Sequence, residues 1–293
     1  MKTKTDVADR GFDILVVSLL SMLVLITLYP LLYVTFASFS DASRLVAHQG
    51  ILYKPLGFSL EAYKSVFNNP AIMKGYGNTL FILVAGVTVN LALTAVAAYV
   101  LSRRNVMWNN AFTFLIVFTM FFQGGLVPLY LIVKGVGLID SLWATIIPFS
   151  VNTFNLIIMR TAFQAIPESL EESAKIDGAN HLTILLRIIL PLSMPVVAVM
   201  ILYYAVEKWN AWFYASIFLK DRDLFPLQLV LREILIANST DSMTSGASTA
   251  DQFQIGETIK YATIMVATVP ILCVYPFVQK YFVKGVMIGA VKG

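Results

Sequence analysis

The sequence predicts an all-α, polytopic membrane protein, and composition and run length carry that prediction. Of 293 residues, 58% are hydrophobic and 13% are charged, about half the charged share of an ordinary soluble domain. A soluble domain of this size could not bury so many apolar residues in one core. A spanning helix needs about 20 mostly apolar residues. Six charge-free runs meet or approach that length: 14–37, 78–101, 105–133, 141–159, 188–206 and 261–279.

These runs are predicted to be helices rather than barrel strands. Backbone polar groups in hydrocarbon must pair within the structure, which a helix achieves alone. The runs also lack the alternation over roughly 10 residues that barrel strands show. The first run is longer than a signal-peptide core and no small-residue cleavage site clearly ends it, so we expect a permanent span.

The distribution of Lys and Arg predicts that both termini are cytoplasmic. Basic residues are denser in the segments that are then inside, most clearly at Arg103 and Arg104, which have no acid beside them. The predicted divisions are a cytoplasmic N-terminus (1–13), a transmembrane domain (14–283) and a cytoplasmic tail (284–293). Two long extracytoplasmic loops are expected at 38–77 and about 218–257.

The stretch 236–254 is rich in Ser, Thr, Ala and Asp and has no helical apolar stripe. It is therefore predicted to be an exposed loop. Composition leaves two roles open for it, a plain connector or a contact with an extracytoplasmic partner.

Charge and residue counts argue against several functions. The net charge of +4 is explained by topology-setting basic residues, so no nucleic-acid partner is expected. The only cysteine, Cys273, can form neither an internal disulfide nor a metal site. His48 and His181 are predicted on opposite faces of the membrane, so no metal site or His-based triad is expected. No P-loop is present, so this chain should not hydrolyse ATP and should have no catalytic residues.

The most charged segment, 160–187, predicts a helix–turn–helix along the inner membrane face. Pro167 suits a first turn, and Asp177-Gly178 is a typical helix stop. Ala174 and Gly178 are four residues apart and predict a small-residue notch. The first turn is acidic, with Glu168, Glu171 and Glu172. The second helix has an apolar stripe of Leu182, Leu185, Leu186 and Ile189. The segment is either an interfacial linker or a docking element, and the notch favours docking.

Fixed spacing in this segment resembles the EAA signature of ATP-binding-cassette importer permeases, with Ser173 where that pattern has Ala. The matching residues are Glu172-Ser173-Ala174, then Gly178, Ile188 and Leu190-Pro191. Segments elsewhere resemble the carbohydrate-importing branch, so the resemblance covers almost the whole chain. These are Gly77-Asn78-Thr79, Gly124-Gly125-Leu126-Val127-Pro128, Trp209-Asn210 and the C-terminal residues 285–293. The similarity is greatest to permeases for complex or acidic oligosaccharides such as alginate or pectin fragments.

The resemblance implies the type I importer permease fold in a bacterial cell membrane. It implies a second homologous permease, two ATPase subunits that bind ATP and Mg, an extracytoplasmic solute-binding protein, membrane lipid and an oligosaccharide substrate. It implies that Glu172 of this chain makes the charged contact with the ATPase and that Gly178 allows the two backbones to approach closely. It also implies that Leu190 and Pro191 transmit motion into the fifth span. The full coupling set is Glu171, Glu172, Ser173, Ala174, Lys175, Asp177, Gly178, Ala179, Leu190 and Pro191. A tail reaching between the ATPase subunits would use Gly285, Gly289, Ala290 and Lys292.

Polar and aromatic residues near the spans are candidates for a sugar path, since sugars need hydrogen-bonding groups beside flat aromatic faces. Intramembrane polar residues are costly and are functional candidates; the alternative is that they join helices. The candidates are Asn152, Asn155, Tyr204, Glu207, Trp209 and Asn210. Glu207 and Asn210 form the best pair, because they are three apart and could face a bundle interior.

The sequence lacks the features expected of two other classes of membrane protein. An ion-coupled secondary transporter would need an acid inside a span or broken helices in inverted repeats, and the six runs contain no Asp or Glu. A membrane enzyme would need clustered acids or histidines, and the only inner acidic cluster lies in the coupling segment.

Overall fold

A computed structural model describes residues 7–103, 105–244, 256, 258–273 and 276 of the chain. These residues form helices and turns, and the described part contains a single isolated antiparallel bridge, between Ser40 and Phe58. The prediction of an all-helical fold is confirmed. The tail residues Gly285, Gly289, Ala290 and Lys292 lie outside the described residues. The chain divides into two compact units, Met1–Asn69 with Glu233–Val269 and Pro70–Arg232 with Pro270–Gly293.

Fourteen α-helical segments are labelled in chain order within the described residues. They are α1 Val7–Ser38, α2 Ala42–Ala47, α3 Glu61–Asn68, α4 Pro70–Ser102, α5 Asn109–Phe121, α6 Leu126–Gly135, α7 Thr153–Gln164, α8 Glu168–Ile176, α9 His181–Ile184, α10 Leu190–Leu192, α11 Met194–Trp209, α12 Phe213–Phe218, α13 Leu227–Thr244 and α14 Thr258–Cys273. Short 3-10 helices occupy Leu142–Thr145, Ile147–Phe149 and Arg222–Leu224, and a π-helix occupies Leu185–Ile189.

In the first unit α1 presents a long apolar surface. Its Gly11–Ser38 part is long and apolar enough to cross a membrane, and no residue of its most apolar window is buried within the chain. Near the end of α1, the rings of Tyr33 and Tyr261 of α14 make an edge contact with centroids 5.8 Å apart. Ala37, Leu45 and Leu52 form a small core beside this contact.

The second unit is built around α4, which packs against α7 and α11. Their facing residues are apolar and small enough to interdigitate, and the core continues into α8 and α9. Its most buried members are Ala98, Met159, Phe163, Ile184 and Met200. The coupling segment thus rests directly on the largest core of this unit.

Three of the six runs predicted as helices are bent. Besides the continuous α1 and α4, three bent helix pairs are long and apolar enough to be spans, and α14 is a shorter apolar helix. α5 and α6 diverge by 115°, because residues 122–125 are not helical and Gly125 has a φ of +84°. In the fourth run the 3-10 stretch before α7 meets it at 50°. The number of six transmembrane segments and the cytoplasmic position of both termini stay predictions.

The fifth charge-free run, 188–206, does not form one straight helix. The segment His181–Leu192 continues through Leu190-Pro191, and α11 follows at an angle of 89°. Ser193 interrupts the helix between Pro191 and Pro195, both of which lack the N–H that a continuous helix needs. The family motif therefore ends at a corner rather than at the start of a straight span.

The predicted loop at 236–254 is wrong over residues 236–244, because α13 extends to Thr244. This stretch contains neither Gly nor Pro before Gly246, so nothing stops a helix that has already formed from propagating. Residues 245–255 lie outside the described part of the chain. Within the predicted outer segment 38–77, α4 already begins at Pro70.

Gly75 and Gly77 provide a matched pair for testing the packing of α4. A Cβ at Gly75 would lie 3.2 Å from the backbone Cα of Leu227, whereas a Cβ at Gly77 would meet nothing within 4 Å. Gly75→Ala is therefore expected to destabilise the complex by about 1–3 kcal/mol through overpacking. Gly77→Ala should be neutral or should stabilise by up to about 1 kcal/mol. Denaturation of the purified complex checks this; equal effects would contradict the close approach.

Candidate coupling site and membrane path

The coupling segment forms the predicted helix–turn–helix. α8 begins after Pro167 and carries its acids in the first turn. It ends at Ile176, and Gly178 reverses the chain with a φ of +80°, a conformation that a residue with a side chain rarely adopts. Asn180 then caps α9, its side chain accepting the Thr183 N–H at 2.8 Å.

Two adjacent glutamates of α8 lie on different faces of the helix, one buried and one exposed. Glu171 is only 5% exposed, whereas Glu172 is exposed. This follows from helix geometry, because 3.6 residues complete one turn and neighbours point about 100° apart. The exposed surface of α8 and its turn also carries Ser173, Lys175, Ile176 and Asp177.

Glu171 joins the cytoplasmic segment to the end of α4. Its carboxylate forms a buried ion pair with Arg103 and a second ion pair with Lys175 at 3.1 Å. The Tyr99 hydroxyl donates to Oε1 at 3.1 Å. The Arg103 guanidinium also lies over the Tyr99 ring, 4.7 Å from its centroid. Contact with three partners makes this carboxylate a tie between two helices.

The electrostatics of Glu171 favour the ionised form. Burial by itself raises the pKa of the carboxyl, but the hydrogen bond from Lys175, the charge of Arg103 and the Tyr99 hydroxyl outweigh burial. The net effect is a pKa below the usual value for glutamate. Glu171 is therefore a charged link at neutral pH.

The small-residue notch is not open as predicted. Ala174 is 8% exposed and packs into the core of its own chain. Gly178 is exposed, and its positive φ is sufficient reason for glycine there. The Ser173 hydroxyl, where the family pattern has Ala, donates to the Ser169 carbonyl at 2.9 Å and so stays satisfied within α8.

The remaining coupling residues lie around the corner before α11. Ala179 and Leu190 are partly buried against the core, while Pro191 is exposed. Ala174, Ala179 and Leu190 therefore pack on the core of this unit, and Glu171 is buried against Arg103. Glu172 and its exposed neighbours lie outside this packing.

The predicted path residues differ in their exposure. Tyr204 and Asn155 are buried, and Trp209 is 8% exposed. The Tyr204 hydroxyl makes a 2.6 Å hydrogen bond with Thr94 and accepts the Asn152 N–H at 3.3 Å. The Asn152 side chain itself caps α7. For Tyr204 and Asn152 the contacts are those of residues that join helices.

Glu207 and Asn210, the preferred pair, do not face an interior within this chain. Both are exposed. The Asn210 amide donates to the Val206 carbonyl of its own helix at 2.8 Å. Their role in a path stays a prediction.

Sequence analysis missed Lys208, which is 3% exposed. Its Nζ lies 3.4 Å from the Thr145 carbonyl and 5.7 Å from the Phe149 ring centroid. Its stem packs on Gly86, where a Cβ would lie 3.2 Å from Lys208 Cε. Lys208 lies just beyond the charge-free run 188–206, so the length of that run gives no sign of its burial. It falls one helical turn after the buried Tyr204, a spacing that predicts a shared face.

Comparison with known proteins identifies the family. The model of the binding-protein-dependent transport system inner membrane component matches residues 82–288. The chain belongs to this family. It is a non-catalytic membrane permease subunit of an ABC transporter, in which a separate ATPase hydrolyses ATP.

Individual relatives match along nearly the whole chain. A polygalacturonan/rhamnogalacturonan transport system permease protein of Bacillus subtilis, YtcP, is 45% identical over 290 residues, covering 97% of this chain and 99% of the relative. Protein LplC of the same organism is 43% identical over 98% of this chain and 96% of its own length. A chain from the crystal structure of a bacterial ABC transporter involved in import of the acidic polysaccharide alginate has a TM-score of 0.86 at 33% identity. That match covers 96% of this chain and all of the other. These matches support the predicted class and not a secondary transporter or a membrane enzyme.

Proposed function

We propose that this chain is one of two permease subunits of an ATP-driven importer of acidic oligosaccharides, of the pectin-fragment or alginate type. The observation that carries the substrate class is the 45% identity, along nearly the full length of both chains, to a permease named for polygalacturonan and rhamnogalacturonan. The alginate importer, at 33% identity, supports the same class, because alginate is also an acidic polysaccharide.

The proposed complex contains a second permease, two ATPase subunits that bind ATP and Mg, and an extracytoplasmic solute-binding protein. In this arrangement both termini are cytoplasmic and six segments cross the membrane. The exposed face of α8 docks on an ATPase subunit with Glu172 as its charged anchor. The tail residues Gly285, Gly289, Ala290 and Lys292 reach between the ATPase subunits.

Motion passes from the ATPase through two connections in this proposal. Glu171 ties α8 to Arg103, just beyond the end of α4, by an ion pair between buried side chains. The corner at Leu190-Pro191 connects the same segment to α11 at 89°. The ion pair connects α8 to α4 and the bend connects it to α11, and α4 and α11 pack together. Displacement of α8 therefore moves both helices, so ATP binding and opening of the path share a coupling free energy.

Uptake by the reconstituted complex tests the function. We expect proteoliposomes containing both permeases, the ATPase and the loaded binding protein to accumulate labelled trigalacturonate when ATP is enclosed. Accumulation should be absent without ATP or without the binding protein. Maltotriose serves as the neutral comparison. Import of maltotriose with none of trigalacturonate or trimannuronate would overturn the proposed substrate class.

A further inference from the structure

A cationic pocket lies in the first unit, between α2 and the chain that returns along it. It is an open surface cleft of about 560 Å³. Its lining residues are Arg44, Ala47, His48, Lys54, Pro55, Leu56 and Gly57. The coupling segment and the path residues contribute nothing to it.

Backbone hydrogen bonds fix the walls of this pocket. The Asp41 N–H donates to the Leu56 and Gly57 carbonyls at 3.0 Å each, and the Leu56 N–H donates to the Ser40 hydroxyl at 3.0 Å. Gly57 has a φ of +71°, and a Cβ there would lie 3.3 Å from Arg44 Nη1. The returning chain is therefore held against the guanidinium.

The pocket holds two cationic side chains, and the Asp41 carboxylate lies near one of them, Arg44. Arg44 and Lys54 are exposed, and in the described part of the chain no carboxylate lies within ion-pair distance of either. The nearby Asp41 carboxylate is occupied by the Ser43 hydroxyl and the Arg44 N–H. The buried His48 Nε2 has no hydrogen-bond partner among the described residues.

An exposed aromatic ring stands beside these cations. The Tyr53 side chain is 73% exposed, and Lys54 Nζ lies 5.8 Å from its ring centroid. A guanidinium and an ammonium are the donors that recognise carboxylates, and a flat ring offers a face to a sugar. Together these groups match the chemistry of a uronate, which has both a ring and a carboxylate.

We propose that this pocket binds a carboxylate-bearing sugar residue of the transported oligosaccharide on the extracytoplasmic side. Arg44 and Lys54 hold the carboxylate, and Tyr53, beside Lys54, offers its exposed ring to the sugar. The inference rests on the proposed function, which supplies both the acidic substrate and the outward position of residues 38–69. An acidic surface of the binding protein is the competing occupant, but the seven lining residues are far fewer than the roughly 20–30 residues per side of a standard protein interface.

The test compares variants inside and outside the pocket in the membrane complex of both permeases and the ATPase. The double variant Arg44→Gln/Lys54→Gln is set against Lys64→Gln, which removes a positive charge from exposed α3 outside the pocket. Arg44→Lys/Lys54→Arg retains both charges. Trigalacturonate affinity is measured by equilibrium dialysis without the binding protein, and affinity for the unloaded binding protein is measured separately.

We expect the double glutamine variant to bind trigalacturonate about tenfold more weakly than wild type, corresponding to about 1.4 kcal/mol. Lys64→Gln should bind like wild type, and the charge-retaining variant should keep most of the affinity. Equal affinity of the double glutamine variant and Lys64→Gln would overturn the assignment. So would weaker affinity for the binding protein alone, which would assign the pocket to protein docking. Uptake of trigalacturonate by wild type is measured separately and tests the proposed substrate class. The affinities of the variants test only the pocket, so the two proposals can be contradicted independently.

Discussion

Glu172→Ala is expected to abolish ATP-driven uptake while leaving the complex assembled in the membrane. Glu172 is exposed, and its side chain makes no hydrogen bond or ion pair with the described residues, so its removal leaves the fold of α8 intact. In the proposed complex it faces a basic residue of the ATPase. Deleting one member of a buried ion pair costs about 3–5 kcal/mol. Uptake, ATPase activity and co-purification of the ATPase are the measurements.

Glu61→Ala is the matched control for Glu172→Ala. Glu61 is also an exposed helical acid, in the first turn of α3, but it lies in the predicted outer segment. Uptake by this variant should equal that of wild type. Near-normal uptake by Glu172→Ala would remove the basis for the coupling assignment.

Glu171→Ala is expected to destabilise the permease itself. The substitution leaves the Arg103 guanidinium, whose side chain is 11% exposed, without its carboxylate. The Tyr99 hydroxyl loses one of its two partners and keeps His181 Nδ1 at 3.0 Å. Removing one partner of such a pair costs about 3–5 kcal/mol. Thermal unfolding of the purified complex should therefore shift down for Glu171→Ala but stay unchanged for Glu172→Ala.

A double-mutant cycle separates the ion pair from general damage. Arg103→Gln combined with Glu171→Gln should cost less than the sum of the single changes, because the second change removes a charge already unpaired. Additive losses would show that the two side chains do not interact.

The same carboxylate gives the stability a defined pH dependence. Its pKa is lowered in the folded chain, so its stabilising contribution is present above the ordinary glutamate pKa. That contribution is lost as the pH falls through the lower folded value. Wild type should consequently lose more stability on acidification than Glu171→Gln.

Local signals in the sequence predicted the coupling segment well. Pro167, the acidic first turn and the stop at Gly178 act within one helix, and α8 and its turn form where these signals place them. The same signals could not identify the partner of Glu171. Arg103 lies 68 positions earlier, and no local spacing links the two residues.

The bends and the burial of Lys208 depended on packing between distant segments. A charge-free run indicates only the length of an apolar segment, so the run 105–133 predicted one helix where the structure has α5 and α6. Gly124-Gly125 lies at the break between them. Polar composition also misassigned residues 236–244, because polar residues without Gly or Pro can continue a helix. Lys208 is buried only because Gly86 leaves room for its stem, a long-range fit that hydropathy does not contain.

Photocross-linking from position 172 tests the central claim most directly, namely that the exposed face of α8 docks on the ATPase. Cys273 is the only native cysteine, so Cys273→Ser provides a clean background for Glu172→Cys labelled with benzophenone maleimide. The account predicts a permease–ATPase product from position 172 and none from Glu61→Cys, which should lie across the membrane. An ATPase product from position 61, or none from position 172 in an assembled complex, would contradict it.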